Sequence, residues 1–285
     1  MYLLRMNEPF FLKLARKIKI PFLRKWLLRY LFKKEQLHLQ NIHSFKKDKF
    51  FIYQVNNFFI PNESLVEKIS YEMQFQKCRN ESLFAYVPEK GNTIIDIGAG
   101  LGEETIHYSH LAGETGRVIS IEANPMVFEI LNKTILLNKL ANVASHNIAI
   151  YQQKGMVNLA EDKTSYEAFY VTPEKDKAAN NIPANRLDDF FTEQKISRVD
   201  LLKVNIEGGE RFVINTLGPE QLLMIRHVAI ACHDFRYRRE GNEFFKTKDL
   251  VIQFLGQNGF DIQTRHTDIE YINDWVYGTN KFYLI

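Results

Sequence analysis

A glycine-rich segment that joins a short strand to a helix constrains the fold of this chain more than any other feature. Thr93–Ile97 is rich in β-branched residues and predicts a buried strand, which Gly98, Gly100 and Gly102 follow at every second position. Glycine allows the backbone to turn sharply and to approach a ligand where a Cβ atom would collide. Residues 103–111 continue at helical spacing, so the glycines predict a ligand-binding turn between a strand and a helix.

A carboxylate after the next strand indicates what kind of ligand this turn binds. The strand Arg117–Ile121 precedes Glu122, which can accept hydrogen bonds from both hydroxyls of a ribose. The turn reads D-x-G-x-G-x-G from Asp96, whereas dinucleotide-binding folds use G-x-G-x-x-G. An acidic group beside the turn repels a pyrophosphate but suits a ligand that carries an ammonium and a sulfonium group. Residues 91–122 resemble the first two motifs of class I S-adenosylmethionine-dependent methyltransferases, which implies S-adenosylmethionine as the cofactor, and the glycine spacing disfavours a nicotinamide oxidoreductase.

Downstream of the turn, strands and helices alternate, which predicts a doubly wound, parallel α/β sheet. The third strand is predicted at residues 143–150, and ligands bind outside the carboxyl ends of such strands. Asn147 and Ala149 are therefore expected to border the adenine. A polar stretch at 161–184 lacks periodicity and predicts a lid or a substrate-recognition insertion. The residues predicted to bind the cofactor are Asp96, Gly98, Ala99, Gly100, Gly102, Glu122, Ala123, Asn147 and Ala149.

The predicted fourth strand, at residues 201–206, carries a second group of polar side chains. It places Asn205 and Glu207 at the ligand-facing edge of the sheet, beside the expected position of a methyl donor. Glu210 follows at the start of a helix, where it fits either a direct role or an acid favoured by the helix dipole.

The predicted fifth strand, at residues 226–232, brings His233 to the same edge. Deprotonating a hydroxyl as it attacks a methyl group needs a base that titrates near neutrality, which histidine supplies without further tuning. The alternative is a loop histidine that only hydrogen-bonds its neighbours. Asp234 is predicted to contact the substrate, and Arg236 either contacts an anionic substrate or lies in a solvated loop.

Four segments, at 94–102, 119–125, 186–189 and 200–210, together resemble the FkbM family of methyltransferases. Members of that family typically show an L-D-D element followed by D-L-L-K-I-D-x-E-G-x-E, and the resemblance spans residues 80–285. It implies a Rossmann-like, seven-stranded sheet with an antiparallel last strand and S-adenosylmethionine as cofactor. It also implies O-methylation of hydroxyls, often on sugars. The residues assigned to catalysis are His233, Glu207 and Asn205, and those assigned to substrate binding are Glu210, Asp234 and Arg236.

The chain departs from the family pattern at two positions. Asn205 stands where the family usually has Asp, which keeps a hydrogen-bonding carbonyl and loses a negative charge, and Ala231 replaces an acid before the histidine. Two interpretations therefore stay open. The first is an O-methyltransferase that acts on a sugar hydroxyl of a glycan or glycolipid. The second is a catalytically degenerate member that binds S-adenosylmethionine, or another protein, without turnover.

The first 34 residues form a cationic arm. They hold ten Lys and Arg residues and a single acid, Glu8, whereas the remainder has 27 basic and 33 acidic residues. Apolar side chains recur on one half of a helix that begins near Pro21, and no run is long enough to span a membrane. The arm predicts a helix on an anionic membrane surface, with a protein that is cytoplasmic or peripheral at the inner face of the membrane. The alternative is docking on the chain's own body or on a second subunit, and the acidic remainder disfavours nucleic acid. The apolar positions are Phe22, Leu23, Trp26, Leu27, Tyr30 and Leu31.

Three segments are predicted: an arm at 1–45, an adapter at 46–90 and a cofactor-binding domain at 91–285. In the adapter, strands around Asn56 and Asn57 predict a β-hairpin, which is followed by a helix capped by Asn62. The domain is expected to end with strands at 260–266 and 281–285, with Gly278 in the turn region between them. The two cysteines lack metal-ligand spacing, so the sequence predicts no metal site and a reducing compartment.

Overall fold

The computed structural model describes residues 14–15, 17–18, 21–46, 49–160, 170–172 and 182–283. Within these ranges an N-terminal unit precedes a larger unit that is built on a seven-stranded sheet. The N-terminal unit comprises α1 (Pro21–Lys34), β1 (Leu39–Phe45), β2 (Phe50–Val55), β3 (Phe58–Asn62) and α2 (Tyr71–Asn80). The first half of the larger unit comprises β4 (Thr93–Ile97), α3 (Glu103–Ala112), β5 (Arg117–Ile121), α4 (Pro125–Leu137), β6 (Val143–His146), β7 (Ala149–Ile150), β8 (Gly155–Ala160) and β9 (Tyr170–Thr172). Its second half comprises β10 (Ile182–Asn185), α5 (Leu187–Glu193), β11 (Val199–Val204), α6 (Glu210–Ile214), α7 (Pro219–Met224), β12 (Ile225–Ala231), α8 (Asp234–Glu240), α9 (Lys248–Gln257), β13 (Phe260–Thr264) and β14 (Trp275–Asn280).

The central sheet confirms the predicted fold class. Its strand order is β13-β14-β12-β11-β4-β5-β6, and the five strands from β12 to β6 are parallel. The last strand of the chain, β14, is antiparallel to both of its neighbours. Helix α3 packs against β4 and β5, and α9 packs against β13 and β14. The carboxyl ends of the parallel strands therefore lie along one edge of the sheet, where ligands bind in folds of this class.

Strand β11, in the middle of the sheet, is buried along its whole length and still contains two charged residues. Strands that are covered on both faces favour continuous apolar runs, so these charges require partners. Asp200 contacts the guanidinium groups of Arg198 at 2.6 Å and Arg226 at 3.3 Å. Lys203 lies beside Asp96 of β4 in the parallel ladder. The ladder thus fixes a lysine next to the acid that precedes the glycine turn.

Two predicted strand boundaries are wrong. The expected strand at 143–150 is divided, because β6 continues the central sheet whereas β7 pairs with β10 in a separate sheet of order β7-β10-β8-β9. The last strand is β14 rather than residues 281–285, of which 284–285 lie outside the described residues. Gly278 lies inside β14 and not in a turn. A Cβ atom there would stand 2.9 Å from Val228 Cγ2, so the close packing of two strands explains this glycine.

The predicted insertion at 161–184 lies largely outside the described residues. Within it, the structure describes β9, which pairs with β8, and the beginning of β10. Strand β10 then leads into α5, the helix that contains the L-D-D element. The prediction of a lid stays a prediction.

The N-terminal unit contains the predicted hairpin within a three-stranded antiparallel sheet of order β1-β2-β3. Asn56 adopts a φ of 53° in the turn between β2 and β3, as expected for a residue that tolerates the left-handed region. The following helix begins at Tyr71 and is capped by Ser70, whose side chain accepts from the Met73 amide, so the predicted cap at Asn62 is wrong. Because β1 pairs with β2, the arm and the adapter share one sheet.

Helix α1 divides its apolar residues between two surfaces. Leu27, Leu28, Leu31 and Phe32 are buried in a cluster with residues of the small sheet. The remaining apolar residues, Phe22, Leu23, Trp26 and Tyr30, are exposed. Docking on the chain's own body therefore accounts for only one part of the apolar pattern. No helix among the described residues is long and apolar enough to cross a membrane.

Candidate active site

Two adjoining cavities lie at the carboxyl ends of the central parallel strands. They share Gly98, Glu122, Asn205 and Glu207 in their walls, so that they form one continuous cleft. The first cavity is otherwise lined by Ile97, Ile121, Ala123, Asn124, Ile148, Ala149, Ile150, Leu159, Ile206 and Gly209. The second is otherwise lined by Gln74, Lys77, Cys78, Glu81, Ala99, Gly100, Glu103, Glu104 and Lys203. The first cavity is thus largely apolar, and the second is polar and rich in carboxylates.

The glycine turn forms the wall between the cavities because its backbone comes unusually close to the end of β11. Gly98 adopts a φ of 78°, and a Cβ atom at this position would stand 2.0 Å from the carbonyl oxygen of Asn205. Gly102, the cap residue of α3, was expected to bind the cofactor but lines neither cavity; its φ is 96°, and a Cβ atom there would stand 2.9 Å from Leu131 Cδ1. A side chain is therefore excluded at both positions, and at Gly98 the main chain itself faces the cleft.

Glu122 is positioned by two backbone amides at the end of β5. Its Oε2 accepts a hydrogen bond from the Gly100 amide at 3.0 Å, and its Oε1 accepts from the Asn124 amide at 2.8 Å. Burial raises the pKa of Glu122 to about 7, although these two hydrogen bonds act in the opposite direction. Each carboxylate oxygen keeps a second lone pair, so the side chain can still accept from the two hydroxyls of a ribose.

The first cavity has an apolar wall that fits a planar base. Ala123 and Ala149 lie in this wall, at the positions that the sequence predicted, together with Ile148. Asn147 was expected to border the adenine but is not among the lining residues. Its amide instead donates to the carbonyl oxygens of Glu122 at 2.8 Å and Ala123 at 2.9 Å. Asn147 therefore holds the backbone of the wall rather than the ligand.

Asp96 lies behind the glycine turn rather than on the wall of the cleft. Its Oδ1 contacts Lys203 Nζ at 2.8 Å, and its Oδ2 accepts from Thr105 Oγ1 at 3.2 Å. Lys203 also donates to the Gly98 carbonyl at 2.9 Å and contacts Glu104 at 3.0 Å. Burial lowers the pKa of Lys203, but the two carboxylates raise it well above its usual range. The predicted direct contact of Asp96 with a cofactor is therefore replaced by an ion pair that holds the turn.

Glu207 lines both cavities and is held by two cationic partners. Its backbone has a φ of 52°, which is uncommon for a residue other than glycine. Arg236 Nη1 donates to Oε2 at 2.8 Å, and His233 Nε2 lies 3.4 Å from Oε1. Burial raises the pKa of Glu207, but the charges of His233 and Arg236 lower it to about 2. The side chain is therefore an ionised carboxylate at the surface of the cleft.

His233 lies one layer behind Glu207 and is only 4% exposed. Its second ring nitrogen, Nδ1, contacts Glu210 Oε1 at 3.0 Å, so the ring is placed between two carboxylates. Burial lowers the pKa of His233, but Glu207 and Glu210 raise it to about 10. The imidazole is therefore charged at neutral pH, and the expected base that titrates near neutrality is not found at this position.

The three residues assigned to substrate binding also lie behind the cleft. Glu210 is fully buried and accepts a hydrogen bond from Thr247 Oγ1 at 3.0 Å. Asp234 accepts from the amides of Thr247 and Lys248, at the start of α9. Arg236 contacts Glu207 and Glu240 and stacks over the ring of Phe245 at 3.9 Å. None of the three is among the residues that line the two cavities.

Asn205 lies where the two cavities meet, between the glycine turn and Glu207. Its backbone amide donates to the Ile97 carbonyl at 2.9 Å, which extends the ladder between β11 and β4 by one residue. Its side chain has no hydrogen-bond partner in the part of the chain that the structure describes. The amide is therefore available to a ligand as a donor or as an acceptor.

For several residues of the second cavity, no role was predicted from the sequence. Lys203 lies in the segment at 200–210 that resembles the family, but no role was predicted for it, although it is the partner of Asp96. Lys77 and Glu81, on and just after α2, come from the adapter and reach the cleft only through the packing of α2 beside α3. The lysine within the mainly apolar strand β11 was the one signal that the sequence offered. Among the described residues, no cluster of His, Cys, Asp and Glu could hold a metal ion.

Comparisons with known proteins found matches to methyltransferases. The model of the methyltransferase FkbM domain matches residues 96–262. "Methyltransferase 1" of Beauveria bassiana (strain ARSEF 2860) is 24% identical over 223 residues, which cover 71% of this chain and 84% of that protein. The crystal structure of methyltransferase FkbM from Methylobacillus flagellatus KT has a TM-score of 0.45 and 16% identity, with 67% of this chain and 43% of that chain covered. Aeropyrum pernix fibrillarin, solved with bound S-adenosyl-L-methionine, has a TM-score of 0.44 and 12% identity, with 85% and 98% covered.

Proposed function

This chain belongs to the methyltransferase FkbM domain family, and we propose that it methylates a hydroxyl oxygen of a sugar in a glycan or glycolipid. It is an S-adenosylmethionine-dependent methyltransferase, because the family model covers more than half of its length. The oxygen acceptor and the sugar are the new part of this assignment. They are supported by the position of one carboxylate and by the charges around it.

The residues of the cleft fit S-adenosylmethionine. Gly98 lines both cavities with bare backbone, since a Cβ atom there would collide with the Asn205 carbonyl, and Glu122 can accept from ribose hydroxyls. The apolar wall around Ala149 suits the adenine. The carboxylates of the second cavity suit a positive charge, and the cofactor supplies a methyl group made electrophilic by a sulfonium. These side chains would bind and orient it.

Glu207 is the observation that carries the proposal. Its carboxylate is ionised, lines both cavities and can accept a hydrogen bond from an acceptor hydroxyl. As the new carbon–oxygen bond formed and the methyl–sulfur bond of the sulfonium broke, the acceptor oxygen would gain positive charge and its O–H proton would become far more acidic than a carboxylic acid. The proton can then pass to Glu207, even though the pKa of this carboxyl lies at about 2.

His233 and Arg236 act as positioning residues in this scheme. Both contact the Glu207 carboxylate, one at each oxygen, and thereby fix its direction and keep it ionised. His233 carries its own proton at neutral pH, so it does not take the proton of the acceptor. The open interpretation of a degenerate member depends on Asn205 and Ala231, and neither residue takes the proton in this scheme, in which Glu207 is the carboxylate.

The composition of the second cavity favours a neutral, hydroxyl-rich acceptor. Glu81, Glu103 and Glu104 line it beside Glu207, so its carboxylates outnumber its two lysines, Lys77 and Lys203, and Lys203 is paired with Asp96 and Glu104. Carboxylates accept hydrogen bonds from sugar hydroxyls but repel a phosphate or carboxylate on the substrate. An uncharged sugar is therefore the acceptor class that these walls accommodate best.

The proposal is tested with labelled S-adenosylmethionine and a panel of neutral and anionic sugars, with mass spectrometry of the products. We expect a methyl ether on a neutral sugar. Glu207→Gln keeps the shape of the carboxylate but removes its charge, so it should lower turnover at least about 100-fold while the cofactor still binds.

Glu89→Gln, at an exposed carboxylate that lines neither cavity, is the matched control and should retain activity. Transfer of the methyl group to nitrogen or carbon would overturn the proposal. Wild-type turnover in Glu207→Gln would overturn the role of this side chain.

A further inference from the structure

The exposed side of α1 carries four large apolar side chains, which we call the aromatic face: Phe22, Leu23, Trp26 and Tyr30. Phe22 is 73% exposed and Trp26 is 63% exposed. Phe22, Trp26 and Tyr30 follow one another at intervals of four residues, so they share one side of the helix. The rings of Trp26 and Tyr30 are stacked, with their centroids 6.5 Å apart. The opposite side of the helix is buried against the small sheet, and this packing keeps the aromatic face directed towards solvent.

The aromatic face lies within a strongly cationic segment. Helix α1 contains five basic residues and no acid: Arg24, Lys25, Arg29, Lys33 and Lys34. Two of them also hold the helix on its sheet, since Lys25 Nζ donates to Asn41 Oδ1 at 2.8 Å and Arg29 Nε to the Leu39 carbonyl at 3.2 Å. Their charges remain, because both partners are neutral. Exposed aromatic rings among lysines and arginines are typical of helices that lie in the interface of a membrane.

We propose that the aromatic face of α1 docks on the surface of an anionic lipid bilayer. The rings would enter the headgroup region, and the surrounding lysines and arginines would contact lipid phosphates and carboxylates. Charge complementarity distinguishes this partner from a second copy of the chain. Pairing two α1 helices through the same face would bring five positive charges against five, with no acid in either helix. The docking does not depend on which molecule accepts the methyl group.

The first test is flotation of the full chain with vesicles of phosphatidylcholine, with and without phosphatidylglycerol. We expect the protein to float only with the anionic vesicles and to be released as salt rises, because exposed charges are screened. The double variant Phe22→Ser, Trp26→Ser should reduce the bound fraction about tenfold, since both rings leave water on binding. Phe282→Ser is the matched control, because Phe282 is also 63% exposed but lies far along the chain, beside β14. It should float like the wild type.

The second test uses the two tryptophans of the chain. Trp26 is exposed whereas Trp275 is buried, so Trp275→Phe leaves a single reporter on the aromatic face. Its emission should shift to shorter wavelength when anionic vesicles are added, and Trp26→Phe should abolish the shift. Equal flotation of the wild type and the double variant would overturn the proposal. So would a dimer in light scattering that the double variant separates, together with no binding to anionic vesicles.

Discussion

Three acidic side chains near the cleft differ in what their carboxylates contact. Asp96 is paired with Lys203, Glu210 accepts from Thr247 and His233, and Glu207 alone among the three lines both cavities. A buried charge is costly unless it is paired and hydrogen-bonded, so the first two carboxylates are committed to the protein. Glu207 lines the cleft, and its cationic partners, His233 and Arg236, contact it from the side away from the cleft. Whether a carboxylate can act on a ligand at this site therefore depends on whether its partners leave the side that faces the cleft open.

The pKa of Glu122 predicts a pH dependence of cofactor binding. Burial raises this pKa from 4.5 to about 7, so the carboxyl is neutral below that pH and ionised above it. The ionised form accepts hydrogen bonds from both ribose hydroxyls, and the affinity for S-adenosylmethionine should rise up to about tenfold between about pH 6 and about pH 8. Calorimetric titration across this range measures the effect. Glu122→Gln should bind more weakly and lose most of the slope, and an unchanged slope would assign it to another group.

Sequence reasoning identified the residues whose role depends on their immediate neighbours. Gly98 and Glu122 were predicted correctly to lie at the cleft, because a turn and a strand end are local features. Asp96 contacts a lysine where a cofactor was expected, and His233 follows the alternative in which it hydrogen-bonds its neighbours. Their partners are distant in the chain, and Lys203 meets Asp96 only through the pairing of β4 with β11. A carboxylate that contacts a ligand and a carboxylate that pairs with a buried lysine look the same in a single sequence.

At the scale of elements, the glycine turn gives the sharpest prediction. Gly98→Ala would place a Cβ atom 2.0 Å from the Asn205 carbonyl oxygen at a φ of 78°, so the turn would have to move away from β11. We expect cofactor binding to be lost and the free energy of unfolding to fall by about 3 kcal/mol. Gly241→Ala is the control, because its φ of 70° carries the same strain but nothing lies within 4 Å. Its cost should be about 1 kcal/mol, and urea denaturation with calorimetry compares the two.

The elements that the sequence placed wrongly are those whose limits depend on tertiary packing. Residues 143–150 are continuously compatible with a strand, but the chain changes from one sheet to another within them, beside Asn147. Gly278 was interpreted as part of a turn region because it lies between the two predicted strands. In the structure it allows β14 to approach β12, a contact that no local pattern records.

At the scale of the whole molecule, the small sheet and the larger unit share an apolar interface. Phe50 and Ile52 of β2 are fully buried in a cluster with Leu101, Val127 and Ile130. This cluster joins the N-terminal unit to the residue inside the glycine turn and to helix α4. Exposing such a cluster to water would be costly, so neither unit is expected to unfold alone.

The two tryptophans test this coupling, because Trp26 lies in the N-terminal unit and Trp275 in the central sheet. We expect the single-tryptophan variants Trp275→Phe and Trp26→Phe to show the same urea midpoint once each is corrected for its own change in stability by far-ultraviolet circular dichroism. Two separate transitions in circular dichroism, each followed by one tryptophan, would show that the units are independent.

The contact between Gly98 and the carbonyl of Asn205 involves main-chain atoms alone. The main-chain outline of the cleft at that point therefore does not depend on the side chain at position 205, although that side chain lines both cavities. An amide can therefore replace an acid at position 205 and change the chemical character of the cleft without changing its shape. The main chain sets the shape of the cleft at this point, whereas the side chain at position 205 sets its reactivity.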